Sequence, residues 1–163
     1  MAPPRGKLAY PCDVSAEPYP DPARPRAVID YTMQARAAIA GVGRRGGPIG
    51  MHQLNDADDL RDADPYLRKA AKFHGSKVDR PCPLCSEPKL VELSYVFGRE
   101  LGPFSGRIKH QTEINEMAHQ HGEFRVFVVE VCRECDWNHL SRSYVLGDGV
   151  PRKPLRKPRD WID

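Results

Sequence analysis

The chain has 163 residues, of which 40% are hydrophobic and 29% are charged, and its formal net charge is +3. Soluble globular chains contain about 25% charged residues and about 45–50% apolar residues when glycine is counted, so this composition excludes disorder throughout. The 13 glycines show no period of three, which excludes a collagen-like fold. No apolar run reaches the roughly 18 residues of a membrane span, and residues 1–30 lack a secretion signal. We therefore expect a cytoplasmic protein without membrane contact.

Proline and charge divide the chain into three parts. Ten of the 16 prolines lie in residues 1–26 and 151–163. Because proline fixes φ and lacks a backbone N–H, both ends are predicted to be extended, disordered arms. The tail has five cations and two carboxylates, a net charge of +3, which leaves residues 1–150 neutral. We predict a Pro-rich flexible arm over 1–26, a folded domain over 27–150 and a basic Pro-rich tail over 151–163.

Four of the five cysteines form two Cys-x-x-Cys pairs, with 46 residues between them. Cys82 pairs with Cys85 and Cys132 pairs with Cys135, whereas Cys12 stands alone. A tight turn lets both sulfurs of a pair point at one cation, so the two turns predict a tetrahedral Zn²⁺ site. Such a site has no open coordination position, and its expected role is structural. A redox dithiol and an iron–sulfur cluster are the alternatives that the cysteines leave open.

The sequence around both pairs predicts strands rather than helices. Residues 89–97, 124–131 and 139–146 are rich in β-branched and aromatic side chains, which favour strands. The second pair therefore lies at the tip of a predicted hairpin. Pro83 and Pro88, beside the first pair, argue against the helix that a redox dithiol normally opens.

Three helices are predicted outside the hairpins. They cover residues 27–40, residues 65–73 after the capping residue Asp64, and residues 111–121 between the two cysteine pairs. The predicted apolar face of the second helix consists of Tyr66, Leu67, Ala70 and Phe73. The predicted fold class is therefore α+β, with zinc-ribbon-type antiparallel hairpins, two N-terminal helices, one inserted helix and disordered flanking arms.

Two further sets of residues are candidates for function. Trp137, Asn138 and His139 follow the second cysteine pair, and they are predicted either to donate to a thiolate beside the metal or to form an exposed recognition tip. The tail supplies cations for phosphates or an acidic protein groove, and an aromatic anchor for an apolar pocket. These candidate partner-binding residues are Arg152, Lys153, Arg156, Lys157, Arg159 and Trp161.

Several segments resemble a small actinobacterial family that is described only as a domain of unknown function. The matching segments are residues 28–31, 62–75, 82–85, 95–98 and 128–147, the last with its Cys-x-x-Cys-x-Trp-Asn-His run. The resemblance covers about residues 28–147. It implies an actinobacterial, cytoplasmic, zinc-ribbon-like protein, and it implies no reaction.

These features favour a non-catalytic zinc-ribbon accessory protein of the gene-expression machinery. By analogy with other zinc ribbons that carry flexible arms, we expect association with RNA polymerase. The alternatives are a ribosome- or RNA-associated translation factor and an enzyme of unknown reaction. Single-stranded RNA could also stack on Tyr95, Phe97 and Tyr144, but their apolar strands favour a place in the core.

Overall fold

The computed structural model describes residues 21–41 and 60–151, and a six-stranded antiparallel sheet forms the centre of this part of the chain. The strands are β1 (Arg26–Asp30), β2 (Ser76–Lys77), β3 (Leu90–Phe97), β4 (Arg107–Ile108), β5 (Phe124–Cys132) and β6 (Asn138–Leu146). The helices are α1 (Thr32–Gly41), α2 (Pro65–His74) and α3 (Gln111–Gln120), with a 3₁₀ segment at Arg99–Phe104. The predicted α+β class is confirmed.

The sheet has the order β1–β6–β5–β3–β2, and the short β4 pairs with the end of β3. On one side, β5 pairs with β3 from Cys132 opposite Leu90 to Arg125 opposite Phe97. On its other side β5 pairs with β6, with one irregularity between Val128 and Val129. The three predicted strands are confirmed to within one residue at each end, because their apolar composition is what a central, two-sided sheet requires.

The first predicted helix, over residues 27–40, is wrong at its beginning. Residues 26–30 form β1, where Ile29 lies opposite Ser143 of β6, and α1 begins only at Thr32. Asp30 ends the strand and starts the helix, since its Oδ1 accepts a hydrogen bond from the Thr32 backbone N at 2.7 Å. Val28 and Ile29 are β-branched and favour a strand where a partner strand is present. That partner lies far along the chain, so local periodicity does not reveal it.

Residues 21–26, which the sequence analysis placed in the N-terminal arm, contact the sheet. The Gly147 backbone N donates to the Pro22 carbonyl at 2.9 Å, and Arg26 Nη2 donates to the Gly147 carbonyl at 2.8 Å. The rest of that predicted arm, residues 1–20, and residues 152–163 of the predicted tail lie outside the described residues.

Helix α2 confirms the predicted start but presents a different face to the sheet. Asp64 Oδ1 accepts a hydrogen bond from the Tyr66 backbone N at 2.7 Å, and Pro65 occupies the first helical position. Tyr66 and Phe73 are 84% and 64% exposed, so their place on the predicted apolar face is wrong. The residues of α2 that pack against β3 and β5 are Leu67, Ala70 and Ala71.

Helices cover the two faces of the sheet unequally. Side chains alternate between faces along a strand, so Leu90 and Val96 lie on one face while Val91 and Leu93 lie on the other. Helix α3, the predicted inserted helix, covers the first face at Val96, and α1 covers it at Leu90. Helix α2 packs on the second face around Val91 and Leu93. The Phe97 end of that second face has no helix over it in the described part of the chain.

Candidate metal centre

Two hairpin tips bring four cysteines together at one end of the sheet. The first pair lies between β2 and β3, and the second lies between β5 and β6. The tips are neighbours because Leu90 and Cys132, which directly adjoin them, face each other across the sheet. All four sulfurs lie within 4.8 Å of one another, and the Sγ–Sγ distance is 3.7 Å both for Cys82 and Cys135 and for Cys85 and Cys132. The cysteines form one cluster that could hold a metal ion.

The two tips share one backbone geometry. In each, the backbone N of the first cysteine donates to the carbonyl five residues ahead, at 2.9 Å for Cys82 and 2.8 Å for Cys132. The residue four positions ahead donates back to the cysteine carbonyl, and it has a positive φ: 62° at Ser86 and 59° at Asp136. A left-handed conformation costs a non-glycine residue about 1–2 kcal/mol. Its use at equivalent positions indicates that this turn shape is needed to direct both sulfurs inward.

Burial and backbone N–H groups act in opposite directions on the thiols. Burial raises the pKa of Cys82 and of Cys135 above the ordinary thiol value. Burial also acts to raise the pKa of Cys85, but hydrogen bonds from the Glu87 backbone N–H and the neighbouring thiols outweigh it and lower that pKa. Four thiolates this close repel one another strongly in a partly desolvated site, so a cation is needed to hold them ionised together.

The cluster is covered by protein on one side and reaches the surface on the other. Cys82 and Cys132 are buried, whereas Cys85 and Cys135 are half-buried. Four thiol ligands complete a tetrahedral shell, so an ion held here keeps no position for water or a substrate. Neither cysteine pair opens a helix, which a redox dithiol normally does. The apolar side chains that pack around the cluster include Ala35, Ile39, Leu84, Leu90 and Trp137.

Trp137, Asn138 and His139 lie beside the cysteine cluster, and the first of them bonds to a sulfur. The Trp137 backbone N–H bonds to the Cys135 sulfur, while its buried indole stacks on His139 with ring centres 5.8 Å apart. Asn138 Nδ2 instead donates to Asp62 Oδ1 at 2.8 Å, and His139 Nε2 lies 3.2 Å from the Tyr31 carbonyl. These two side chains therefore tie the second tip to the segments before α1 and α2.

The predicted partner-binding residues of the tail fall outside the described residues. The structure gives no placement for Arg152, Lys153, Arg156, Lys157, Arg159 or Trp161. Their assignment as partner contacts stays a prediction from the sequence.

Two arginine–glutamate ion pairs beside the cysteine cluster were missed by sequence reasoning. Glu92 and Glu130 face each other on β3 and β5, and Glu130 is only 7% exposed. Like charges in this position destabilise a sheet, so each carboxylate needs a cation. Arg142 Nη2 lies 3.0 Å from Glu92 Oε2, and Arg80 ion-pairs with Glu130. The available signal was a glutamate in the middle of each of two apolar strands.

The fold and the cysteine cluster define the class of the protein: an α+β, zinc-ribbon-like protein whose two hairpin tips could hold a metal ion. In residues 21–41 and 60–151, no helix has both the length and the apolar character needed to cross a membrane. The chain belongs to a family of unknown function (DUF5318), whose model matches residues 23–160. The resemblance to a family of unknown function is thereby confirmed.

The similar proteins are mycobacterial. The uncharacterized protein Rv0049 of Mycobacterium tuberculosis is 43% identical over 130 residues, which cover 78% of this chain and 88% of the relative. The uncharacterized protein Mb0050 of Mycobacterium bovis matches with the same identity and coverage. These relatives agree with the actinobacterial origin that the resemblance implied. No solved structure matches the chain.

Proposed function

We propose that this chain is a non-catalytic, zinc-ribbon-like accessory protein of the gene-expression machinery, which works in the cytoplasm and docks on RNA polymerase. Its four clustered cysteines bind one structural Zn²⁺. The observation that carries the proposal is the geometry of the sulfurs, because it supports a metal held entirely by protein ligands. A protein of this kind acts by presenting a rigid surface to a partner.

The sulfur spacing agrees with a tetrahedral zinc site. Zn–S bonds of about 2.3 Å in a tetrahedron place the sulfurs about 3.8 Å apart. The distances of 3.7 Å between Cys82 and Cys135 and between Cys85 and Cys132 agree with this value. An iron–sulfur cluster needs room for several iron and sulfide atoms between the cysteines, so sulfurs in near contact disfavour it. Replacement by Co²⁺ is expected to give the visible absorption of a tetrahedral thiolate complex.

A non-catalytic role is supported by the closed metal shell and by the pairing of nearby carboxylates. A cleft of about 390 Å³ lies beside the metal centre, between α1 and the sheet. Glu92 and Glu130 line this cleft, but each is already held by an arginine. Both carboxylates are therefore engaged within the protein and are not left free to contact a substrate.

RNA polymerase is proposed as the partner from fold analogy and from the composition of the two arms. Zinc ribbons with flexible arms recur in the transcription and translation machinery, and the partner is proposed by analogy with them. The basic tail adds cations and Trp161, which suit an acidic or nucleic-acid surface and an apolar pocket. Segments of this composition commonly become ordered on binding.

The test is affinity purification of the tagged, full-length chain from an actinobacterial host, with and without nuclease treatment. RNA polymerase subunits that remain bound after nuclease treatment are the expected result. Ribosomal proteins in their place would contradict docking on polymerase and favour the translation alternative. Enrichment of neither assembly would reject a role in gene expression.

A matched pair of tail variants locates the contact. One variant replaces the tail cations by glutamine and keeps Trp161, and the other is Trp161→Ala with the cations kept. We expect both variants to keep one zinc per chain and to recover less polymerase than the unchanged protein. The cations to be replaced are Arg152, Lys153, Arg156, Lys157 and Arg159.

A further inference from the structure

Two phenylalanine rings lie on the half of the sheet that α2 leaves uncovered. Phe97 ends β3 and is 45% exposed, and Phe127 of β5 is half-buried. Their ring centres are 5.5 Å apart and their planes meet at 83°, so the edge of one ring points at the face of the other. The core was the predicted place for Tyr95, Phe97 and Tyr144, and Tyr95 is half-buried against the core beside α2. The prediction is right for the buried Tyr144 and wrong for Phe97.

The register of the sheet places a cation beside these rings. Arg125 lies directly opposite Phe97, and Tyr95 lies directly opposite Phe127, so all four side chains belong to one face. In the described part of the chain, Arg125 forms no ion pair. The aromatic face therefore combines flat apolar rings with unneutralised positive charge.

We infer that this aromatic face, formed by Tyr95, Phe97, Arg125 and Phe127, binds single-stranded nucleic acid by stacking bases on the phenylalanine rings. The inference deepens the proposed function, on which it rests, by naming a nucleic-acid contact for a protein that works beside RNA polymerase. Every base has a flat π-face, so exposed rings on an open sheet accept bases without regard to sequence. Arg125 supplies the charge complementary to a phosphate.

Charge decides between nucleic acid and an apolar protein segment as the occupant. A purely apolar partner would leave the Arg125 guanidinium without a counter-charge at the contact, whereas a nucleotide brings a phosphate with each base. Residues 1–150 have no formal net charge, so Arg125 itself supplies the attraction between this face and a phosphate. The tail adds a net charge of +3. Binding is therefore expected to be sequence-tolerant and strongly dependent on salt.

The test is fluorescence anisotropy of a labelled 12-nucleotide oligouridine, titrated with the full-length protein at several salt concentrations. Phe97→Leu and Phe127→Leu keep an apolar side chain and remove the π-face, so each is expected to weaken binding about 10-fold. Arg125→Gln is expected to reduce the slope of log affinity against log salt by about one. The control is Phe73→Leu, because Phe73 is an exposed phenylalanine on α2 with Lys72 beside its ring. It is expected to leave the affinity unchanged.

Two results would overturn the inference. One is the absence of saturable oligouridine binding by the unchanged protein at low salt. The other is unchanged affinity of the Phe97→Leu variant. Because Phe97 is exposed at the end of β3, this substitution disturbs the fold less than Phe127→Leu does. Thermal melts of every variant serve to distinguish a loss of oligouridine affinity from unfolding. Polymerase recovered after nuclease treatment, together with no oligouridine binding, would reject the inference and leave the proposed function standing. Oligouridine binding without polymerase recovery would support nucleic-acid binding at the aromatic face and reject docking on polymerase.

Discussion

Replacing Cys132 with serine tests how much of the fold depends on the metal. Cys132 is the last residue of β5, is fully buried, and has its sulfur 3.7 Å from the sulfur of Cys85. A serine hydroxyl does not replace a thiolate as a zinc ligand. With the proposed structural Zn²⁺, the variant is expected to lose up to the full apparent binding free energy, which is about 10–16 kcal/mol in zinc-finger peptides. A buried hydroxyl without a partner costs about 1–3 kcal/mol more.

This loss is as large as the whole stability of a typical domain, about 5–15 kcal/mol, but the structure confines it to one end of the sheet. The hydrophobic cluster under α3 contains none of the cysteines, whereas the cluster with α1 contains all four. We therefore expect the hairpin tips and α1 to unfold while the core under α3 persists. A net loss of even about 4 kcal/mol lowers the Tm by about 15 °C in a domain of this size.

Three measurements check this expectation: zinc content, thermal unfolding and amide hydrogen exchange. Protection should be lost at the backbone N–H groups of Ser86 and Asp136, which donate to cysteine carbonyls within the tips. The matched control is Cys12→Ser, which removes the cysteine outside the two pairs and should change neither zinc content nor Tm. One zinc per chain in Cys132→Ser, or the same Tm as the unchanged protein, would refute a structural metal.

Three further substitutions test the surrounding structure by thermal or urea unfolding. Arg80→Ala should destabilise the protein by about 2 kcal/mol because it leaves the buried Glu130 carboxylate unpaired, and Glu130→Gln should recover part of that loss in the double variant. Gly147→Ala should cost about 3 kcal/mol and Gly149→Ala about 1 kcal/mol, since both have positive φ but only at Gly147 would a new β carbon clash with backbone. Asp64→Ala should remove about 1 kcal/mol of helix capping, whereas Asp64→Asn should not.

The parts of the fold that local sequence determines could be predicted, and the turn within each Cys-x-x-Cys pair is the clearest case. The turn within a Cys-x-x-Cys pair points both sulfurs to one side, and the β-branched and aromatic residues in the runs beside it favour strands. The start of α2 was equally local, because Asp64 caps the helix through the backbone N–H of Tyr66, two residues away. In each case the interacting groups lie within a few residues of one another.

The parts that depend on distant partners could not be predicted. Strand β1 exists because Ile29 lies against Ser143, and nothing near residue 29 reveals that pairing. Periodicity also identifies an apolar stripe without showing what covers it. Phe73 is predicted on the apolar face of α2 and Phe97 in the core, but both are exposed. The ion pair of Arg80 with Glu130 likewise joins two residues that only the folded sheet brings together. Contacts at long sequence separation account for each of these differences.

The metal centre and the aromatic face are linked by strand register. The hairpin tips hold Leu90 opposite Cys132, and the ladder then runs without interruption to Phe97 opposite Arg125. A slip of one residue in β3 would move its whole set of side chains to the other face of the sheet. Phe97 would then point toward the side that α3 covers, and Val96 would lose its place in the core under that helix. The proposed metal site would therefore serve the proposed binding at a distance, because the register that starts at the hairpin tips fixes which side chains the open face presents.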